Sequence, residues 1–463
     1  MVEVLKPDLC VIGAGAGGSA AAAAAAALGA KVVVVAAEDG AGSKGRWIGT
    51  RLLQAATRPT HHGDNSAATE PETIWRTVRA RLAEDLTSVL PQHSLPRLRA
   101  MNVTVVPGPG RFCGRKAVET SALRIEARRF IVATGSSPEV PKVQGLELVQ
   151  WYTPDSIWSS DRLPTGLVIT GGGSHAVEMA QSFRRLGSRV TLVAPEPVLA
   201  DFDDEIAAPI LDSLRKMGVV VLAGAALTSV EPVGRDIRAH LADGTVLAGS
   251  QLLLASGRWP NVDGLGLEIA DVRVGPNGIV VGRDLRTSNR RVFAIGDVIG
   301  ASSAQAAASH ASLAVRKALF RLPARLRPEL IPRVIFTDPE VAVCGLSEQA
   351  AHGLFRRTRI LRASLGETER AAIDGLGRGH IKVVTSPSGR VLGAAIVGAS
   401  AGELIGSWQV AISRGMTIAD LSSIVFPRLT LSDAGRQVIL AGIAPRLRSP
   451  WVARALSAAR WFG

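Results

Sequence analysis

Four short, largely apolar runs are each broken by a glycine: Leu9-Cys-Val-Ile12, Phe130-Ile-Val-Ala133, Leu167-Val-Ile-Thr170 and Val292-Phe-Ala-Ile295. Runs of this length, bounded by turn residues, read as buried strands rather than helices. Two of them open a longer pattern. After Ile12 comes Gly13-Ala-Gly15-Ala-Gly-Gly18, then an alanine-rich helix reaching residue 28, then a valine strand over 30–35. After Thr170 comes Gly171-Gly-Gly173-Ser-His-Ala176-Val-Glu178, a helix to Leu186 and a strand over 189–193. Further along, 379–384 and 388–397 read as the two strands of a hairpin, with a helix over 403–413 to pack on it.

Composition narrows the class. A chain of 463 residues is too long for one ordinary core, so two to four domains are expected. With 47% hydrophobic and 20% charged residues it can bury large cores, while only 4% aromatic residues favour close packing of small side chains. The net charge of +13 comes mostly from arginines spread along the chain, which reads as a solvated basic surface and not as a nucleic-acid site. No signal peptide precedes the first strand, and the apolar stretch 20–28 is too short to span a bilayer, so a cytoplasmic protein is expected. The three cysteines, Cys10, Cys113 and Cys344, are far apart, with neither metal nor redox spacing. No metal site is expected.

The strand–glycine–helix–strand units carry the chemistry. In the first, Gly13 allows a tight turn, Gly15 lets a pyrophosphate approach the backbone, and Gly18 lets helix and strand pack closely. The helix start then offers free amides and a positive dipole end to the phosphates. In the second, Gly171 and Gly173 repeat the arrangement, Ala176 takes the third glycine place, and His175 reads as a turn residue. Two dinucleotide sites follow; one working site beside one structural relic is the alternative.

With these units in place, the chain resembles the pyridine nucleotide–disulfide oxidoreductases, with the mercuric-reductase-like branch nearest. Thr134-Gly135 resembles the turn that returns the chain to a flavin domain. Thr287 and the run to Gly296-Asp297 resemble the second FAD motif, and Gly257 opens a crossover that runs through Asn261. Residues 336–347 resemble the start of the family's dimerisation domain. The resemblance implies an α/β fold with two Rossmann-like domains, the second inserted in the first, plus a C-terminal α+β dimerisation domain. Its parts would be 1–149 and 255–328 for FAD, 150–254 for NAD(P), 329–440 for a homodimer contact, and 441–463 as a basic tail. It implies FAD at Gly13, Gly15, Gly18, Glu38, Thr134, Gly135, Gly296 and Asp297. NAD(P)H would lie at Gly171, Gly173, Ala176, Glu178 and Gly257.

Several family features are replaced. The two redox-cysteine places fall at Gly45 and Thr50, and Cys10 reads as a buried, inert thiol. The acid–base places near the C-terminus are Arg428 and Asp433, and arginine does not exchange protons near neutral pH. Arg428 could instead stabilise an anionic acceptor or pair with Asp433 across an interface. Gln54 stands where the family has a lysine, while that lysine's partner is retained as Glu178. The two ribose-binding carboxylates correspond to Ala36 and Ala194, with Glu38 and Glu196 two residues later as substitutes. No arginine cluster follows Ala194, which favours NADH over NADPH.

The resulting expectation is a flavoenzyme passing electrons from NAD(P)H through FAD directly to a small acceptor, quinone- or oxygen-like, without a disulfide. A degenerate non-catalytic scaffold and a nicotinamide nucleotide transhydrogenase are the alternatives. In the tail, Trp451, Val452, Ala455, Leu456, Ala459 and Phe462 share one helical face opposite Arg454, Ser457 and Arg460. That is the character of a peripheral membrane helix, or else of one docked on its own protein or of a frayed terminus.

Overall fold

The computed structural model describes residues 3–36, 71–89, 94–301, 303–323, 325–376, 379–447 and 450–461. By contacts the chain divides into two compact units, Met1–Val198 with Gly218–Pro328, and Leu199–Met217 with Glu329–Gly463.

In the first unit, four of the five strands of a parallel sheet hold the apolar runs and the valine strand. Its order is Val292–Ala294, Arg129–Val132, Leu9–Ile12, Val32–Ala36 and Thr104–Pro107. The strands are apolar at consecutive positions because both faces are covered. Leu9, Val11, Val32, Val34, Ile131 and Phe293 join one core with the alanines of two helices, Ala16–Ala27 and Ala304–Phe320. Cys10, Ile12, Val33, Val35, Phe130, Val132 and Val292 face the other way, into a core with Phe112, Val118, Ile125 and Leu267. The alanine composition has a packing reason: a Cβ at Gly17 would stand only 3.3 Å from the Cβ of Ala307.

The second parallel sheet runs Trp151–Tyr152, Gln251–Leu254, Gly166–Thr170, Arg189–Ala194 and Val220–Ala223. One face carries the antiparallel strands Leu227–Val233, Asp236–Leu241 and Val246–Gly249, packing Val230, Ile237 and Ala239 on Val168, Leu252 and Leu254. All of this chain lies between Arg129–Val132 and Val292–Ala294 of the first sheet, so the second sheet is inserted into the first. The two connections pair with each other: Ser136–Pro138 is antiparallel to Arg258–Pro260.

The second unit holds a five-stranded antiparallel sheet in the order Arg333–Ile335, Val341–Gly345, Val391–Val397, His380–Thr385, Arg359–Ser364. The expected hairpin is present as His380–Thr385 and Val391–Val397, and the expected helix spans Ala401–Arg414. That helix buries Ala401, Ile405, Trp408 and Ile412, positions spaced for one face. The helix Asp204–Lys216, which the chain places between two strands of the inserted sheet, also belongs to this unit. The fold is α/β with two Rossmann-like halves and a C-terminal α+β domain.

Candidate functional site

The two glycine turns are built alike, and each glycine has its own reason. Gly13 has φ +101°, and a Cβ there would stand 2.4 Å from the carbonyl oxygen of Ala133. A Cβ at Gly18 would come within 1.9 Å of the Gly13 carbonyl oxygen. These two are required by turn and packing. Gly15 is different. It caps the helix with φ −66° and ψ −173°, a conformation open to any residue, and among the described residues no atom beyond its chain neighbours and its own helix lies within 4 Å of a Cβ placed on it. No side chain caps the helix start, so the first-turn amides are presented to an open space beside Gly15, where a phosphate fits.

The second turn repeats this. Gly171 has φ +126° and its Cβ would meet the Ala255 oxygen at 2.1 Å. Gly173 caps its helix with φ −82° and ψ 179°, no side-chain cap and nothing within 4 Å. Ala176, at the third glycine place, is fully buried, and Glu178 is 6% exposed in the same helix. Gly257 has φ +156°, beside the Glu139 carboxylate. Both nucleotide cradles therefore have room for a group outside the chain, and neither room is explained by the backbone itself.

Around the first cradle the remaining sequence-derived residues are held by long-range hydrogen bonds. The Thr134 hydroxyl donates to the Asn261 carbonyl at 2.7 Å, and the Asn261 side-chain amide donates to the Thr134 carbonyl at 3.0 Å. The Asn261 backbone amide donates to the Gly135 carbonyl at 2.9 Å. The backbone amide of Gly296 (φ +74°) donates to Nδ1 of His310 at 3.3 Å, so the neutral ring carries its proton on Nε2. His310 is 2% exposed, and burial pulls its pKa below the usual histidine value.

Asp297 accepts a hydrogen bond from the Ser136 hydroxyl at 2.8 Å. The Ser136 oxygen accepts in turn from Nε of Arg258 at 2.8 Å. The same guanidinium donates to the Ser136 carbonyl at 2.7 Å and to Asp155 at 2.8 Å. Ser136, Arg258, Asp155 and His310 were not singled out from sequence. Arg258 and Ser136 adjoin the Gly257 and Gly135 motifs, so proximity to a motif was the available signal. Asp155 and His310 carried none.

The remaining site residues divide into three groups. Glu38, Gly45, Thr50 and Gln54 lie outside the described residues. Ala36 and Ala194, at the ribose places, are both buried in strands, and Glu196 is exposed in the turn after Ala194. Arg428 and Asp433 do not pair with each other within the chain: Arg428, exposed, bonds Glu369, and Asp433 takes Arg436 at 2.7 and 3.2 Å. Asp433's partner lies one turn along its own helix, whereas Arg428's comes from the helix Glu369–Ile373.

All three thiols are free. Burial pushes Cys10 up to about 12 and Cys344 to about 11, and raises Cys113 as well. Thiols held protonated this firmly are poor nucleophiles near neutrality.

Comparison with known proteins accords with this geometry. The pyridine nucleotide-disulphide oxidoreductase family matches over residues 7–313, and the dimerisation domain of that family over 331–439. A mercuric reductase from Bacillus cereus is 33% identical over 345 residues, covering 73% of this chain; the chain spans only 54% of that relative's length. A mercuric reductase from Streptomyces lividans is 32% identical over 459 residues, covering 92% of this chain and 94% of the relative. The solved structure of LpdA from Mycobacterium tuberculosis is similar at a TM-score of 0.82 and 25% identity, over 96% of this chain and 100% of that one. The dimerisation-domain match supports a homodimer. With room beside two glycine turns in two parallel sheets, the chain belongs to the pyridine nucleotide-disulphide oxidoreductases, whose cofactors are FAD and NAD(P)H.

Proposed function

We propose that this protein is an FAD-dependent NAD(P)H oxidoreductase that hands electrons from the flavin directly to a small acceptor, quinone- or oxygen-like, with no protein disulfide between them. The observation that carries the reading is the state of the thiols. Three isolated cysteines, two of them buried and firmly protonated, stand in a chain that has Gly45 and Thr50 at the redox-cysteine places. The acid–base place agrees, since Arg428 cannot shuttle a proton and is engaged by Glu369.

In this reading residues 1–149 and 255–328 hold FAD, 150–254 hold NAD(P)H, 329–440 form the dimer contact, and 441–463 are a tail. FAD would be held by Gly13, Gly15, Gly18, Glu38, Thr134, Gly135, Gly296 and Asp297, and NAD(P)H by Gly171, Gly173, Ala176, Glu178 and Gly257. The flavin, when bound, accepts a hydride from the nicotinamide and gives up its electrons to the acceptor. The protein's part is placement. The Ala16–Ala27 helix start binds pyrophosphate, Ser136 and Arg258 fix the Asp297 carboxylate, and His310 holds the Gly296 backbone. NADH is the proposed reductant, because Glu196 is the acid after Ala194 and 195–203 contain no basic residue to meet a 2′-phosphate. NADH should exceed NADPH in kcat/KM by at least about tenfold, and the reverse order would show that the 2′-phosphate is bound elsewhere.

Anaerobic titration tests the central claim. Flavin absorbance should bleach with about one equivalent of NADH, whereas a flavin coupled to a redox disulfide takes up about two. The cysteine-free variant Cys10→Ala/Cys113→Ser/Cys344→Ala should keep turnover with a soluble quinone within about threefold, and a hundredfold loss would restore a thiol to the mechanism. One observation favours a second reading, a non-catalytic nucleotide-binding scaffold: both ribose places are buried alanines. Failure of NADH and NADPH alike to bleach a stoichiometrically bound flavin would decide for it.

A further inference from the structure

The helix Pro450–Ala459 has no buried residue. Trp451 is 77% exposed, Leu456 56%, and Trp461, in the turn that follows, 89%. Around the helix Trp451, Val452, Ala455, Leu456 and Ala459 fall on one arc, and Arg454, Ser457 and Arg460 on the other. A helix of 10 residues does not hold in water on propensity alone. Every residue from 450 to 461 is exposed.

We propose that this helix is an interfacial anchor that lays the protein on a bilayer bearing anionic headgroups. The charge of the region selects that surface. Residues 445–463 contain Arg446, Arg448, Arg454 and Arg460 and no acid, in a chain of net charge +13. A second copy of this acid-free, arginine-bearing segment repels it, while an anionic leaflet attracts it. The side chains suit the depth of an interface. Trp451 and Trp461 are the residue type that settles at headgroup level, and the Arg454 guanidinium lies 5.5 Å over the Trp451 ring, able to reach outward while the ring faces the acyl boundary.

Among the described residues no helix is long and apolar enough to cross a membrane, so the contact is with the surface. One such helix binds marginally, and a homodimer presents two. The inference stands whether or not the acceptor proposed above is right.

The test is co-flotation of the full-length, flavin-loaded protein with phosphatidylcholine vesicles, with and without about three-tenths phosphatidylglycerol. Binding to the anionic vesicles should be at least about tenfold tighter and should weaken with salt. Leu456→Glu should lower it about tenfold or more, and Arg454→Gln/Arg460→Gln should remove most of the salt dependence. Flavin content and NADH bleaching should be unchanged in both variants. The proposal is overturned if anionic vesicles do not carry the protein, if neutral vesicles carry it equally well, or if Leu456→Glu leaves flotation intact. It is equally overturned if Leu456→Glu dissociates the dimer in sedimentation, since a second copy would then be what covers the face.

Discussion

Gly15→Ala should yield a folded protein that has lost its flavin. Among the described residues the added methyl meets no atom within 4 Å beyond its chain neighbours and its own helix, and φ −66° suits alanine, so the cost to the apo-protein is that of exchanging one helix cap for a poorer one, about 1 kcal/mol or less. The space it fills is the one the pyrophosphate needs, and the first-turn amides lose their approach to it. FAD affinity should fall by at least about a hundredfold, roughly 2.7 kcal/mol, read as flavin per protein after gel filtration. Gly18→Ala is the contrasting case. Its methyl would overlap the Gly13 carbonyl oxygen at 1.9 Å, so strand and helix must separate, and apo-protein stability should drop by about 3 kcal/mol or more together with flavin loss. Stabilities are compared in the apo forms because bound flavin itself adds stability by mass action. Gly173→Ala should repeat the first pattern at the other cradle, raising the KM for NADH with flavin retained. Full flavin occupancy in Gly15→Ala would place the cofactor away from this turn.

The contrast between Gly15 and Gly18 also explains what could be read without a structure. Glycines with a geometric duty leave a fixed spacing in the sequence, and strands covered on both faces leave unbroken apolar runs. Both nucleotide units and the inserted topology were therefore legible. The hydrogen bonds that complete the site were not. Ser136 meets Asp297 across 161 residues of chain, and Arg258 meets Asp155 across 103. These partners are ordinary polar residues in short connecting elements, and only the tertiary return of the chain makes them a set. Lys382 was hidden for the same reason. In the hairpin its neighbours Ile381 and Val383 enter the core, and alternation alone would leave Lys382 on an open face. That face is closed by the segment Asp203–Glu205, which lies 179 residues from Lys382 at its Asp203 end.

Lys382→Met should consequently be the most damaging single change in the C-terminal unit. The ammonium is 3% exposed and lies 2.8 Å from Glu348, 2.9 Å from Asp203 and 3.2 Å from Glu205. Arg362 adds hydrogen bonds of 2.7 and 2.8 Å to Glu205, and His380 stands 3.6 Å from it, its pKa pulled down by burial. Three carboxylates thus face two cations. Without Lys382 they face one, and leaving half-buried charge uncompensated costs about 3–5 kcal/mol even though methionine fills the same space. The pH dependence separates lost charge from lost packing. Hydrogen bonding from Arg362 holds Glu205 down to about 2, against 4.5 unperturbed, so its contribution is complete above 4.5 and fades as pH falls toward 2. For Lys382, burial pulls the pKa down but the hydrogen bonds it donates to Glu348 and Asp203 outweigh it; the raised value gives stability that is complete below 10.5 and is lost only above it. The Glu205 and Lys382 contributions should accordingly be flat between pH 5 and 7, a window in which the buried His310 and His380 make the native protein lose stability as pH falls. In Lys382→Met the crowded carboxylates bind protons more readily in the folded state than in the unfolded one, so stability relative to the native protein should rise as pH drops through that same window. Adding Glu348→Gln should recover part of the loss and flatten the slope again. A loss below about 1 kcal/mol in denaturant unfolding, or a variant with the native slope, would mean that water rather than Lys382 neutralises this cluster.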